Sequence, residues 1–96
     1  MLQIFATGIS ITTGAASVGA TIPLNSAGAV PRLIRITAST DDSCFRIGTG
    51  AQTAVTTDAV VQPGAPVIVA TMGCTHIAAI QQTAAGIVQV SPVEDI

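Results

Sequence analysis

Apolar and polar residues alternate along this chain with the two-residue period of a β-strand, and nowhere with the 3.6-residue period of an amphipathic helix. Ile9-Ser10-Ile11-Thr12 alternates strictly. A longer run, Arg32 to Ala38, places Arg32, Ile34, Ile36 and Ala38 on one face and Leu33, Arg35 and Thr37 on the other. Ser43 to Ile47 puts Phe45 and Ile47 on one side, with Cys44 and Arg46 on the opposite side. Further strands are expected at Leu2 to Phe5, Val18 to Leu24, Pro66 to Thr71, Thr75 to Gln81 and Ile87 to Val90.

Clusters of turn-forming residues separate these pieces, among them Asn25-Ser26-Ala27-Gly28, Ser39-Thr40-Asp41-Asp42 and Thr83-Ala84-Ala85-Gly86. The turn at Ser39–Asp42 predicts a β-hairpin between its two flanking strands. Ala51 to Gly64 is the longest irregular stretch. The Ala-rich parts, which could favour helix, are each broken within a few residues by Gly, Thr or Pro. The pattern predicts a single all-β domain over residues 1–96, a small β-sandwich or jelly-roll-like unit of about seven or eight short antiparallel strands. Residues 1–12 are expected as an N-terminal strand or arm and 91–96 as a peripheral tail. The expected core is Ile34, Ile36, Phe45, Ile47, Val67, Val69, Ile77, Ala79, Ile87 and Val90.

Composition sharpens this. The chain has 96 residues and is 49% hydrophobic but only 8% charged, with three Lys or Arg, all arginine, and five acidic side chains. Its mean hydropathy is +0.69 and its pI about 4.7. An ordinary soluble domain is about 25% charged. Disorder is excluded, because it needs low hydrophobicity and high charge. Nucleic-acid binding is not expected, since three arginines and no lysine cannot neutralise a phosphate backbone. No apolar run approaches the roughly 20 residues of a spanning helix, so no membrane partner is expected. The N-terminus lacks the basic start of a signal peptide, which points to a cytosol-like compartment. A folded monomer of this size exposes roughly 5,000 Å², about one charge per 600 Å². So sparse a charge distribution predicts that other subunits cover much of the surface, as in obligate interfaces.

Candidate chemistry is thin. His76 is the one histidine, and Cys74-Thr75-His76 would put Cys74 and His76 on one strand face, with Cys44 as a possible third ligand. A structural zinc site ordinarily takes four ligands with paired short spacings, and packing explains these residues better. A Cys–His nucleophile would need an orienting group and an oxyanion hole, neither of which the sequence marks. The expectation is therefore a protein that is not an enzyme, with no cofactor and no metal. The cysteines are expected as free thiols, with a Cys44–Cys74 bridge as the alternative. Gly48-Thr49-Gly50 is not a phosphate loop, having no GxxxxGK[ST] pattern. The candidate subunit contacts are Arg32, Arg35 and Arg46. Each is either part of a solvated strand face or a fixed contact to a carboxylate of a neighbouring subunit.

The segments Ile34-Arg35-Ile36-Thr37-Ala38, Cys44-Phe45-Arg46-Ile47-Gly48, His76-Ile77-Ala78-Ala79-Ile80 and Val88-Gln89-Val90-Ser91-Pro92-Val93-Glu94 carry a resemblance. With Asp58 and the Pro63-to-Val69 strand between them, they resemble small virion proteins encoded near the head genes of tailed phages. The resemblance covers about the C-terminal two-thirds and consists of strand and turn types. It implies a capsid decoration or cement protein, a β-sandwich homo-oligomer (trimer ahead of dimer) seated on the major capsid protein lattice of a virion assembled in the host cytoplasm. A tail, head-tail adaptor or head-fibre component is the alternative. A small ligand- or carbohydrate-binding β module is a further one, disfavoured because sugar sites lean on aromatic platforms and the chain has only Phe5 and Phe45.

Overall fold

The strongest alternation in the sequence becomes the centre of the first sheet. In the computed structural model, which describes residues 1–95, β4 (Leu33–Ser39) lies between β9 (Ile87–Asp95) and β7 (Val67–Ala70), antiparallel to both. The other edge of β9 is shared by β2 (Ile9–Thr12), along Ile87 to Val90, and by the two-residue β1 (Leu2–Gln3), at Glu94 and Asp95. The second sheet runs β3 (Val18–Thr21), β8 (His76–Gln81), β5 (Ser43–Gly48) and β6 (Ala59–Val61), again antiparallel. No helix occurs among the described residues. With β1 set aside, the orders β2-β9-β4-β7 and β3-β8-β5-β6 are those of a two-sheet jelly roll, wound as two Greek keys.

The inward faces meet as the two-residue period requires. Ile11, Ile34, Ile36, Ala38, Val88 and Val90 of the first sheet pack with Phe45, Val61, Ile77 and Ala79 of the second, and Ile22, just past β3, joins them. Each buried Ile or Val stabilises the fold by about 1.5–3 kcal/mol relative to exposure, most of it offset by chain ordering.

Four expectations are corrected. The predicted hairpin is not one: β4 and β5 lie in different sheets, and Ser39–Asp42 carries the chain across the sandwich with Thr40 at φ 78°. Both edges of β4 are taken by β9 and β7, and both edges of β5 by β8 and β6, so the two strands have no edge left for each other. The stretch expected to be irregular contains β6, whose Val61 is fully buried.

The expected peripheral tail is the end of β9, where Pro92 and Val93 are buried; only Ile96 lies outside the described residues. Pro92 can occupy a strand because of the phase of the ladder. Thr71 N–H donates to the Arg32 carbonyl at 2.9 Å, which makes Ile34 a hydrogen-bonded partner of Val69 and a non-bonded partner of Pro92. The Pro92 nitrogen therefore faces the opposite edge, at the gap between β2 and β1, where no strand needs a donor. At that gap the chain passes so close that a side chain on Gly8 would run into the Val90 carbonyl.

The core differs in parity at β9: Val88 and Val90 point inward, and Ile87, expected inside, is exposed. Ile47, Val67 and Val69 pack on the core only partly buried. Val88→Ala should therefore cost about 2 kcal/mol, and Ile87→Ala, the larger truncation, less than about 1 kcal/mol. Urea denaturation of the two variants measures the difference.

Candidate functional site

The most elaborate polar arrangement lies on the outer face of the second sheet. Cys44 and Arg46 leave that face of β5, and the connection from β5 to β6 folds back over it. The Arg46 guanidinium donates twice to Asp58, Nε to Oδ2 and Nη2 to Oδ1, each at 3.0 Å. Asp58 Oδ2 also accepts Val55 N–H at 2.9 Å, while Asp58 N–H donates to the Val55 carbonyl at 3.0 Å. Ala54 N–H donates to Ser17 Oγ at 2.8 Å, tying the connection to the segment before β3. Beneath lie fully buried Cys44 and Ala78, and Ala54 of the connection is itself buried. The Cys44 thiol points at the Thr56 carbonyl, 3.6 Å away.

Electrostatics follow from this geometry. The Arg46 hydrogen bonds, with help from Val55 N–H, hold the Asp58 carboxyl below its ordinary pKa against a smaller opposing effect of burial. Burial pushes the Cys44 thiol up, and the carboxylates of Asp58 and Asp42 push it further. Cys44 is therefore a neutral, unreactive thiol at neutral pH.

Cys44, Cys74 and His76 do not come together as a ligand set. The Thr71–Cys74 turn, closed by Cys74 N–H on the Thr71 carbonyl at 2.8 Å, holds Met72 at φ 51° and Gly73 at φ 83°. Cys74 thus precedes β8 instead of sharing its register, and it packs against the inter-sheet core while Cys44 lies on the outer face. Both thiols are free, so the alternative of a Cys44–Cys74 bridge is not realised. His76 sets its Nδ1 2.7 Å from Thr75 Oγ1 and lines a shallow hollow of about 400 Å³ with Ala20, Thr21 and Gln52. Among the described residues no three His, Cys, Asp or Glu side chains are grouped to hold a metal ion.

The arginines are likewise dispersed. Arg46 is committed to Asp58 of its own chain. Arg35 stands on the outer face of the first sheet, between Ile68 of β7 and Ser91 of β9, so it and Arg46 face away from each other. Arg32, exposed just before β4, borders a hollow of about 210 Å³ with Asn25, Leu33, Glu94 and Asp95. Glu94 there accepts Ser26 N–H at 3.1 Å and Ser26 Oγ–H at 2.8 Å, and Asp95 takes the N-terminal ammonium at 3.1 Å. Neither Arg32 nor Arg35 makes an ion pair among the described residues. Asp58 both pairs with Arg46 and holds the Val55 backbone, a role no sequence motif marks. Its position twelve residues after Arg46, and three after Val55, is legible only once the connection folds back.

Compared with known family models, curated proteins and solved structures, the chain gives no significant match.

Two measurements check the site. A thiol reagent under native conditions should label half-buried Cys74 before Cys44, and Asp58→Asn should accelerate Cys44 labelling several-fold by releasing its cover. Because the folded-state pKa of Asp58 is depressed, the stability it contributes is present above the ordinary Asp value of about 3.9 and is lost as pH falls below it. The Ala54 and Val55 amide resonances should therefore hold constant down to that pH and shift only below it, a transition absent in Asp58→Asn.

Proposed function

We propose that this protein is a non-enzymatic virion component of a tailed phage, a cement or decoration protein that binds the assembled capsid lattice as a homo-oligomer. The observation that supports it is the character of the surface. The described chain exposes 4963 Å², and its few charges are partly spent within the chain, Arg46 on Asp58 and the N-terminus on Asp95. Large apolar side chains stand out in solvent beside them: Ile4, Phe5, Leu24, Ile68 and Met72 are all about half exposed or more. Surfaces depleted in charge and enriched in apolar side chains are those that subunit contacts cover.

The jelly roll serves viral capsid domains, lectins and cupins alike, so the winding supports the reading only by analogy. The aromatic residues weigh against a sugar-binding module. Phe45 is buried in the core, which leaves Phe5, on the N-terminal arm, as the one exposed ring among the described residues. A cement protein works by binding assembled lattice better than free shell subunits, so that occupancy stabilises the shell by mass action. Repetition over a symmetric lattice turns weak contacts into avidity, and the hydroxyls of Ser10, Thr12, Thr37 and Ser91 on the outer face of the first sheet stay hydrated before docking and hydrogen-bond afterwards.

Mixing the purified chain with empty heads of the phage that encodes it tests this reading. Saturable co-sedimentation in hundreds of copies per head, with a rise in the temperature of head disruption, is the expected result. Arg35→Ala should lower occupancy several-fold with the melting temperature of the free protein unchanged, because among the described residues Arg35 makes no ion pair. Failure to bind heads, with recovery on tails in a dozen copies or fewer, would replace the cement role with the tail or adaptor role.

A further inference from the structure

The free edge of the first sheet carries an inference about how copies meet. It deepens the homo-oligomer part of the reading above by naming the surface. We infer that β7 is a self-association edge: two copies of this chain pair their β7 strands antiparallel about a two-fold axis at Val69, joining their first sheets into one continuous sheet.

The phase of the ladder dictates which groups are available. With Thr71 N–H on the Arg32 carbonyl at 2.9 Å, the hydrogen-bonded pairs of β4 and β7 are Ile34 with Val69 and Ile36 with Val67. Ile68 and Ala70 accordingly turn their N–H and C=O groups to the free edge, and both side chains are exposed, Ile68 at 49%. An unpaired row of backbone donors and acceptors is a template for another strand.

Few two-fold registers are open to such a pairing. Placing Ile68 against Ile68 would set Ala70 against Pro66, which has no N–H to give. Placing Ala70 against Ala70 would set Ile68 against Met72, whose φ of 51° has left the extended conformation. Placing Ile68 against Ala70 satisfies both residues of both copies, each pair exchanging its two hydrogen bonds. Val69 then meets its counterpart on the axis, and each Ile68 side chain covers the smaller Ala70 of the other copy. The edge is complementary to itself.

Charge does not oppose the contact. Val67 to Ala70 contains no ionisable residue. The nearest, Arg35, lies one strand inside, so the two copies of Arg35 stand about 16 Å apart, three strand spacings across and two residues along, beyond the screening length of about 8 Å. The other edges are less inviting. The outward-turned residues of β2 are the hydroxyl-bearing Ser10 and Thr12, β6 is three residues long and runs into Pro63, and β3 presents Gly19 beneath the Gln52 carbonyl.

Sedimentation of the full chain over a hundredfold concentration range, with hydrogen exchange at Ala70, tests the pairing. The expected result is a concentration-dependent dimer in which the Ala70 amide exchanges about tenfold or more slowly than in the dilute monomer. Ile68→Pro removes only an edge-facing N–H and should leave a folded monomer with nearly unchanged melting temperature. Should that variant fail to fold, Ala70→Lys keeps every β4–β7 hydrogen bond and should also be monomeric. Association undiminished in the folded variant, or an Ala70 amide equally exposed in monomer and oligomer, overturns the β7 contact while leaving a homo-oligomer built on another surface. A chain monomeric at every concentration overturns the contact too, and head binding by that monomer is then read separately.

Discussion

The register between β4 and β9 is the constraint on which the rest of the molecule depends. Seven residue pairs, from Leu33 with Val93 to Ser39 with Ile87, set Ile34, Ile36 and Ala38 beside Pro92, Val90 and Val88 on the inner face. A slip of one residue would turn Gln89 and Ser91 into the core and Val88 and Val90 outward. The same phase decides which backbone groups of β9 face β2 and β1, and so why Pro92 is tolerated at the gap between them. Passed on through β4, it also decides which groups of β7 are left at the sheet edge. One alignment thus fixes the core, the position of a proline and the chemistry of a free edge.

The second sheet is held differently. Its inner face contributes Phe45, Val61, Ile77 and Ala79 to the shared core, but its outer face also buries Cys44 and Ala78. An exposed outer face would normally alternate to polar residues. Here the connection between β5 and β6 supplies the missing cover, and the Arg46–Asp58 pair fixes it in place. A paired Arg and Asp near the surface adds little net stability through charge alone. Its geometry matters more, because the two parallel hydrogen bonds orient a carboxylate that in turn holds the Val55 backbone. Buried cysteine under such a cover behaves as a small apolar side chain, and the raised pKa of Cys44 follows from that placement.

Much of the strand content was legible from alternation alone, because a two-residue period over Ile9–Thr12, Leu33–Ser39 and Ser43–Gly48 admits little else. Pairing was less legible. Adjacent strands joined by a short turn resemble a hairpin in sequence, and only the competition for edges, β9 and β7 for β4, β8 and β6 for β5, shows that Ser39–Asp42 crosses between sheets. β6 carries little signal in sequence because Ala59-Val60-Val61 is short and follows a stretch of Thr and Ala with no period. Ile87 and Val90 cannot both face the core, because a strand turns residues three apart to opposite faces; the strict two-residue period pairs Val90 with Val88. The arginines are legible as residues but not as a site. Their partners depend on a chain that folds back, in the case of Arg46, and on sheet faces that point in opposite directions.

Edge protection and surface charge are ordinarily solved together in a β-sandwich, by lysine, inward-pointing charge, bulges or proline at the outer strands. This chain has no lysine, and its three arginines lie at positions 32, 35 and 46, none of them on an outer strand. The two longer outer strands of the first sheet, β2 and β7, then differ chiefly in what their exposed side chains are. At β2 these are hydroxyls, which water solvates at little cost, whereas at β7 they are Ile68 and Ala70. An edge both unpaired and apolar lowers its free energy by meeting another strand, and under the pairing inferred above that strand is β7 of a second copy. On that proposal, the sparse charge and the exposed Ile68 and Ala70 of β7 are two expressions of one surface built for contact with another copy.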